Sequence, residues 1–226
     1  MNMDPFVDSM TLAAWSADML EQKGIDEIAR WRMIEYWFQV ELFRAIQAGK
    51  AGLWSHIGDY EHPYHTEKPR QGSKTKTKWV DLVLAQPKLD SPNSIVWIEL
   101  KDLGRSKATA INNAAGLGRD LAALWALDVE QTRKIWIDPL PHSFDRGRLE
   151  EWQQYGPKLT RASHRIAQIV LCHKSLCSSV SSKMIQQRWI QSFHSRLAGS
   201  DPKVSFEIAE AETDQFLVLA LVQDLE

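Results

Sequence analysis

The run at residues 79–101, WVDLVLAQPKLDSPNSIVWIELK, holds two strand-length apolar segments separated by a stretch containing Pro87, Ser91, Pro92 and Asn93. Branched and aromatic side chains suit a pleated, half-buried surface, and clustered Pro, Ser and Asn favour a reversal of the chain. The run therefore reads as an antiparallel hairpin. Each segment also carries an acid: Asp81 in the first, and Glu99 in the second with Lys101 two positions later. Alternation puts Trp79, Asp81 and Val83 on one face of the first strand, and Ile95, Trp97, Glu99 and Lys101 on one face of the second. Asp81 and Glu99 can then lie side by side.

An isolated carboxylate in an apolar sheet costs several kcal/mol or is neutralised by a proton, and two adjacent ones repel unless a cation sits between them. A divalent metal resolves both problems. Two carboxylates, with the Leu100 main-chain carbonyl as a further oxygen, suit Mg²⁺ or Mn²⁺ better than zinc and leave positions for water and phosphate. A metal-activated water and the fixed charge of Lys101 are what phosphodiester hydrolysis requires.

On these residues the segment resembles the PD-(D/E)xK, or restriction-endonuclease-like, nuclease superfamily. Its pattern is an acid at the start of one strand and acid-any-lysine on the next. Asp81, Glu99 and Lys101 match, and Val80 stands where the namesake proline would be. The resemblance implies a mixed central sheet flanked by helices with an α-β-β-β-α-β core, and a Mg²⁺- or Mn²⁺-dependent deoxyribonuclease activity. Bacterial defence, recombination and repair are settings for such an activity. It also implies a glutamate from the first core helix in the site.

That helix is expected at 30–47, RWRMIEYWFQVELFRAIQ, where Ile34, Phe38, Leu42, Ala45 and Ile46 form a three-and-four stripe. At about 100° per residue, Glu35 and Glu41 lie about 60° to either side of Phe38, so either borders the buried face. Glu35 is the preferred candidate because Gln39 continues a polar row from it.

A formal net charge of -2 excludes a globally basic nucleic-acid binder, but the charge is unevenly spread. Residues 68–78, KPRQGSKTKTK, supply Lys68, Arg70, Lys74, Lys76 and Lys78 with no acid, and lead straight into the Asp81 strand. They are the expected nucleic-acid contacts. Residues 152–200 also lack acids while carrying seven cations, and the compensating acids gather near the end of the chain.

Beyond the hairpin, residues 112–127 show Leu117, Leu121, Leu124 and Trp125 on one helical face, with Ala114, Ala115, Gly116 and Gly118 small enough for close packing. Residues 134–137 read as a short buried strand completing a β-helix-β crossover. A short helix at 148–154, a strand at 166–172, a helix at 183–197 and strands at 204–208 and 216–222 follow. The 226 residues are expected to form one domain, with a nuclease-like core at about 30–175 and a C-terminal elaboration at about 176–226.

No phosphate-binding glycine loop, GxSxG element or membrane-length apolar run occurs, and the N-terminus lacks a signal peptide's basic region. A cytoplasmic location is expected, with DNA as partner and no membrane. A homodimer is expected where both strands are cut, and protein partners of a larger system are a further expectation. Cys172 and Cys177 flank His173, but no second ligand pair at usable spacing completes a zinc site, so Cys172 reads as a buried small hydrophobe. Of the ten tryptophans, Trp31, Trp37, Trp125, Trp136 and Trp189 are expected in the core, whereas Trp79 and Trp97 share a face with the acids. The alternative to an enzyme is a catalytically inactive protein of the same fold that binds DNA or another protein.

Overall fold

Strands that are apolar at consecutive positions need cover on both faces. IAQIVLC and FLVLALV near the end of the chain have this character. The computed structural model, which describes residues 4–21, 34–57, 61–67, 76–86, 94–104, 107–138, 146–174, 180–197 and 206–225, buries them in the middle of a three-layer α/β arrangement. The elements are α1 (Ser9–Glu21), α2 (Ile34–Gln47), β1 (Ser55–His56), β2 (His62–His65), β3 (Thr77–Val80), β4 (Leu82–Gln86), β5 (Ser94–Asp102), α3 (Lys107–Trp125), α4 (Val129–Ile137), α5 (Arg146–Leu159), β6 (Ser163–His173), α6 (Ser182–Arg196), β7 (Ile208–Glu212) and β8 (Phe216–Leu225).

Six strands form a mixed sheet in the order β1-β4-β5-β6-β8-β7, and β2 pairs with β3 in a separate small sheet. Only β5 and β6 run parallel, from Ser94 against Ser163 to Asp102 against Leu171. The β4–β5 pair is antiparallel, as the hairpin reading requires, while its turn at 87–93 lies outside the described residues. One face of the sheet presents Val83, Trp97, Ile166, Val170 and Leu219 to α3 and α6; the other presents Leu84, Ile98, Ile169 and Val218 to α1 and α2. The last fifty residues are woven into this core, since β8 pairs with β6 along ten positions and α6 packs on α3.

Three expectations change. Residues 134–137 belong to helix α4, not to a strand. Asp128 caps that helix by accepting from the Gln131 N–H at 2.9 Å, and Thr132 and Trp136 at a four-residue interval form its buried side. The strand parallel to β5 is β6, reached through three helices. The strand expected to run through Asp81 is broken there, with β3 in the small sheet and β4 in the large one. The strand expected at 204–208 lies further along: residues 204 and 205 are outside the described residues, Phe206 and Glu207 are not in a strand, and pairing runs over Ile208–Glu212.

The tryptophan count finds its reason in the core. Trp97, Trp136, Trp152 and Trp189 are fully buried, and each indole N–H has an acceptor. The acceptors are His164 Nδ1 (3.0 Å), Pro63 O (2.8 Å), His62 Nδ1 (2.9 Å) and Gln168 Oε1 (3.0 Å), respectively. Leaving any of these donors unpaired would cost about 1–3 kcal/mol. His164 accepts from Trp97 while its Nε2 faces the Leu159 carbonyl at 2.9 Å, an arrangement that needs the neutral ring; burial pushes its pKa down against the pull of that carbonyl. Trp37 and Trp125 pack half-buried against the core, and Trp31 lies outside the described residues. Cys172 is buried in β6 as expected, but its sulfur is disulfide-bonded and not a free thiol.

The small residues of α3 meet α6 as their size predicts. Ser192 donates to the Ala115 carbonyl at 2.7 Å, and a β-carbon on Gly118 would stand 2.7 Å from the Phe193 amide nitrogen and closer still to the Trp189 carbonyl. Gly118→Ala is expected to force the two backbones apart and cost about 1–3 kcal/mol, read as a lower thermal midpoint. An unchanged midpoint would show that this contact is not a tight one.

Candidate active site

β4 and β5 pair from Gln86 against Ser94 to Leu82 against Ile98, and one more step sets Asp81 opposite Glu99. At that step the chain turns away. The Asp81 carboxylate takes over the ladder: its Oδ2 accepts the Leu100 N–H at 2.6 Å. The Asp81 carbonyl accepts from the Glu61 N–H at 2.9 Å and from Gln39 Nε2 at 3.1 Å, so the bend is tied to α2 and to the start of β2. Glu61 holds φ at 58°, an uncommon value for a side chain of its size.

Glu99 is half-buried on β5, beside Gln168 in the parallel register. Gln168 donates to the Leu117 carbonyl (3.3 Å) and accepts from the Trp189 indole. Among the described residues nothing donates a hydrogen bond to the Glu99 carboxylate. Burial pushes its pKa well above the usual carboxylate range, and the charges of Asp81 and Asp120 push it further; Lys101 pulls the other way. Burial likewise pushes Asp81 up to about 7, with the Leu100 N–H opposing, Glu35 adding, Lys101 opposing and Glu61 adding.

Lys101 lies 3.7 Å from Glu35 Oε1, while Glu35 Oε2 accepts the Asp102 N–H at 2.8 Å. Burial depresses the Lys101 pKa, but Glu35, Glu99, Asp120 and Asp81 together raise it above the ordinary lysine value. The ammonium therefore stays charged. Asn113 of α3 donates to the Asp102 carbonyl at 2.8 Å and secures the end of β5.

Of the two helix glutamates, Glu35 reaches this group and Glu41 does not. Glu41 is buried, is bonded to Arg44 at 2.9 Å, and lines a cleft with Trp15, Asp18 and Met19 of α1. Gln39, one turn beyond Glu35, is buried and donates to the Asp81 carbonyl. Trp97 is in the core, whereas Trp79 is 44% exposed. Lys68, Arg70 and Lys74 lie outside the described residues; Lys76 is exposed, and Lys78 turns inward to Asp120 at 3.1 Å. The cations of the acid-free stretch are partly spent on the C-terminal acids, Arg165 on Asp224 and Lys174 on Glu212, both at 2.7 Å.

Asp120 was not singled out from sequence. Its signal was available, because it borders the Leu117, Leu121 and Leu124 stripe on the helix that follows the acid-any-lysine strand. Asp81, Glu99, Glu35, Asp120 and Glu61 act on one another or on Lys101, and Lys78 pairs with Asp120, so among these groups five carboxylates stand against two lysines. Among the described residues no three His, Cys, Asp or Glu side chains converge as a ready metal cage. Asp81 and Glu99 are two oxygen donors with open capacity, a set that fits a hard divalent cation keeping several waters. Among the described residues no helix is long and apolar enough to cross a membrane.

In comparisons with known proteins, no family model, no curated protein and no solved structure matches this chain.

The raised carboxyl values set a pH dependence. An unfolded aspartate titrates near 3.9, so Asp81's favourable contribution is complete below about pH 4 and is lost as pH rises through about 7. Asp81→Asn is expected to stabilise the metal-free protein at pH 8 by on the order of 1 kcal/mol, about 2–4 °C for a chain of this length. Mg²⁺ or Mn²⁺ should raise the wild-type midpoint more at pH 8 than at pH 6, because the carboxylates must be deprotonated to bind. Thermal scans at both pH values check this, and an equal metal response in the asparagine variant would refute it.

Proposed function

We propose that this protein is a metal-dependent nuclease of PD-(D/E)xK type that hydrolyses DNA phosphodiester bonds, with Asp81, Glu99 and Lys101 at its centre. The observation that carries the reading is the half-buried Glu99 carboxylate, which has no hydrogen-bond donor among the described residues and stands beside Asp81 and Asp120. A charge in that position is costly unless a proton or a cation compensates it. The order of elements agrees with the family core: α2, β1, β4, β5, α3 and β6 run α-β-β-β-α-β through one sheet, with β2 and β3 as an insertion and α4 and α5 added before β6.

Asp81 and Glu99 would hold the metal, with the Leu100 carbonyl as a further oxygen. When bound, Mg²⁺ or Mn²⁺ supplies a lowered water pKa and a Lewis acid for the phosphate oxygens. The Leu100 N–H fixes one Asp81 oxygen and leaves Oδ1 for a ligand. Lys101, kept protonated by its acidic neighbours, acts as a fixed cation for the charge that develops at phosphorus and not as a base. Glu35, half-exposed next to Lys101, is placed to take a proton from the attacking water as its oxygen bonds to phosphorus. The ester P–O bond breaks, and the leaving oxygen takes a proton from solvent.

Asp81→Ala and Glu99→Gln should each lower cleavage by ~1000-fold or more, with unchanged circular dichroism. Lys101→Ala should cost about 100- to 1000-fold. The assay is purified protein on supercoiled, linear and single-stranded DNA with Mg²⁺, Mn²⁺ or EDTA. Metal-dependent cleavage retained by Asp81→Ala would sink the assignment, and salt-sensitive DNA binding without cleavage would favour an inactive member of the fold.

A further inference from the structure

Lys78 and Asp120 form an ion pair at 3.1 Å with each side chain only 14% exposed. Removing two charges from water costs several kcal/mol per ion, and the attraction between them seldom repays it in full. An apolar pair of similar volume would serve packing as well. The pair is held rigidly nonetheless. The β2–β3 sheet that carries Lys78 is locked to α3, which carries Asp120, by Thr66 Oγ1 donating to the Ala123 carbonyl at 2.7 Å. The Thr66–Leu127 bridge and the Trp136 bond to the Pro63 carbonyl fix the same sheet from its other side.

The location gives the pair a use. Lys78 sits three residues before Asp81 on the strand that enters the site, and Asp120 lies close enough to Glu99 and Lys101 for its charge to act on both. An ammonium has three N–H donors, and among the described residues Asp120 is the one partner of Lys78. Donors remain for an incoming anion. A divalent cation bound at Asp81 and Glu99 would offset their charge, while a nucleic-acid backbone brings further negative charge that needs cationic donors of its own.

Resting on the nuclease reading, we propose that Lys78 binds a backbone phosphate of the nucleic-acid substrate at the site and that Asp120 is its positioning residue. Asp120 holds the ammonium at a set place. Lys76, exposed immediately before the same strand, continues the cationic track outward.

The test is fluorescence anisotropy of a labelled oligonucleotide with Ca²⁺ replacing Mg²⁺, across a salt series, beside cleavage kinetics with Mg²⁺. Lys78→Ala should weaken binding about tenfold and reduce the salt slope by about one. KM should rise far more than kcat falls, and Lys78→Arg should restore most of the affinity. Asp120→Asn should weaken binding less and keep the full salt slope. Should Lys78→Ala unfold, the double variant Lys78→Gln/Asp120→Asn, which leaves no buried charge unpaired, must show the same loss of slope. Wild-type cleavage with an unchanged slope in the Lys78 variants would overturn the phosphate role and leave the nuclease reading standing. Neither binding nor cleavage by the wild type would overturn both.

Discussion

Where β3 leaves the small sheet and β4 joins the large one, the Asp81 side chain takes the place of a strand by accepting the Leu100 N–H. A buried backbone donor left open at that point would cost as much as a lost hydrogen bond. The carboxylate therefore completes the ladder and, by the same bond, is held opposite Glu99. The Gln39 and Glu61 bonds to the Asp81 carbonyl pull α2 and the entry to β2 onto the same spot. Displacing this bend would disturb the meeting point of the first core helix, both sheets and the β4–β5 pair.

Electrostatically the cleft is unfinished without a counter-charge. Glu99 and Asp81 both sit above the ordinary carboxylate range because they are buried and because their neighbours are also acids. Lys101 is held above its ordinary value by the same neighbours, which outweigh its own burial. A lysine held in its charged form suits the stabilisation of developing negative charge better than proton abstraction.

The scaffold beneath the cleft is apolar and closely packed. The indoles of Trp97, Trp136, Trp152 and Trp189 are each tied to an acceptor on another element, and the pair formed by Gln168 and Trp189 anchors α6 directly below Glu99's neighbour in the sheet. The terminal strands are part of this support. β8 gives β6 its second hydrogen-bonding edge, and Glu212 and Asp224 neutralise Lys174 and Arg165, which draws the cations of the acid-free stretch into tertiary contacts.

By itself the sequence determined the antiparallel pairing of β4 with β5, the shared face of Glu99 and Lys101, the close packing allowed by the small residues of α3, and the helical character of α2 and α6. These follow from local periodicity and turn chemistry, which act over a few residues. It could not separate a strand from a helix at 134–137, because a short apolar run fits either, and the deciding Asp128 cap and the Trp136 bond to Pro63 come from outside the run. It favoured Glu35 over Glu41 only through the polar row with Gln39, since both flank the same stripe symmetrically; their surroundings depend on which side of α2 faces the end of β5 and which faces α1. Asp120 and the inward turn of Lys78 joined the site only when α3 and β3 were brought together across more than forty residues. Long-range packing decides such partners, because a charge's neighbours in space are set by the assembled layers and leave no period in the chain.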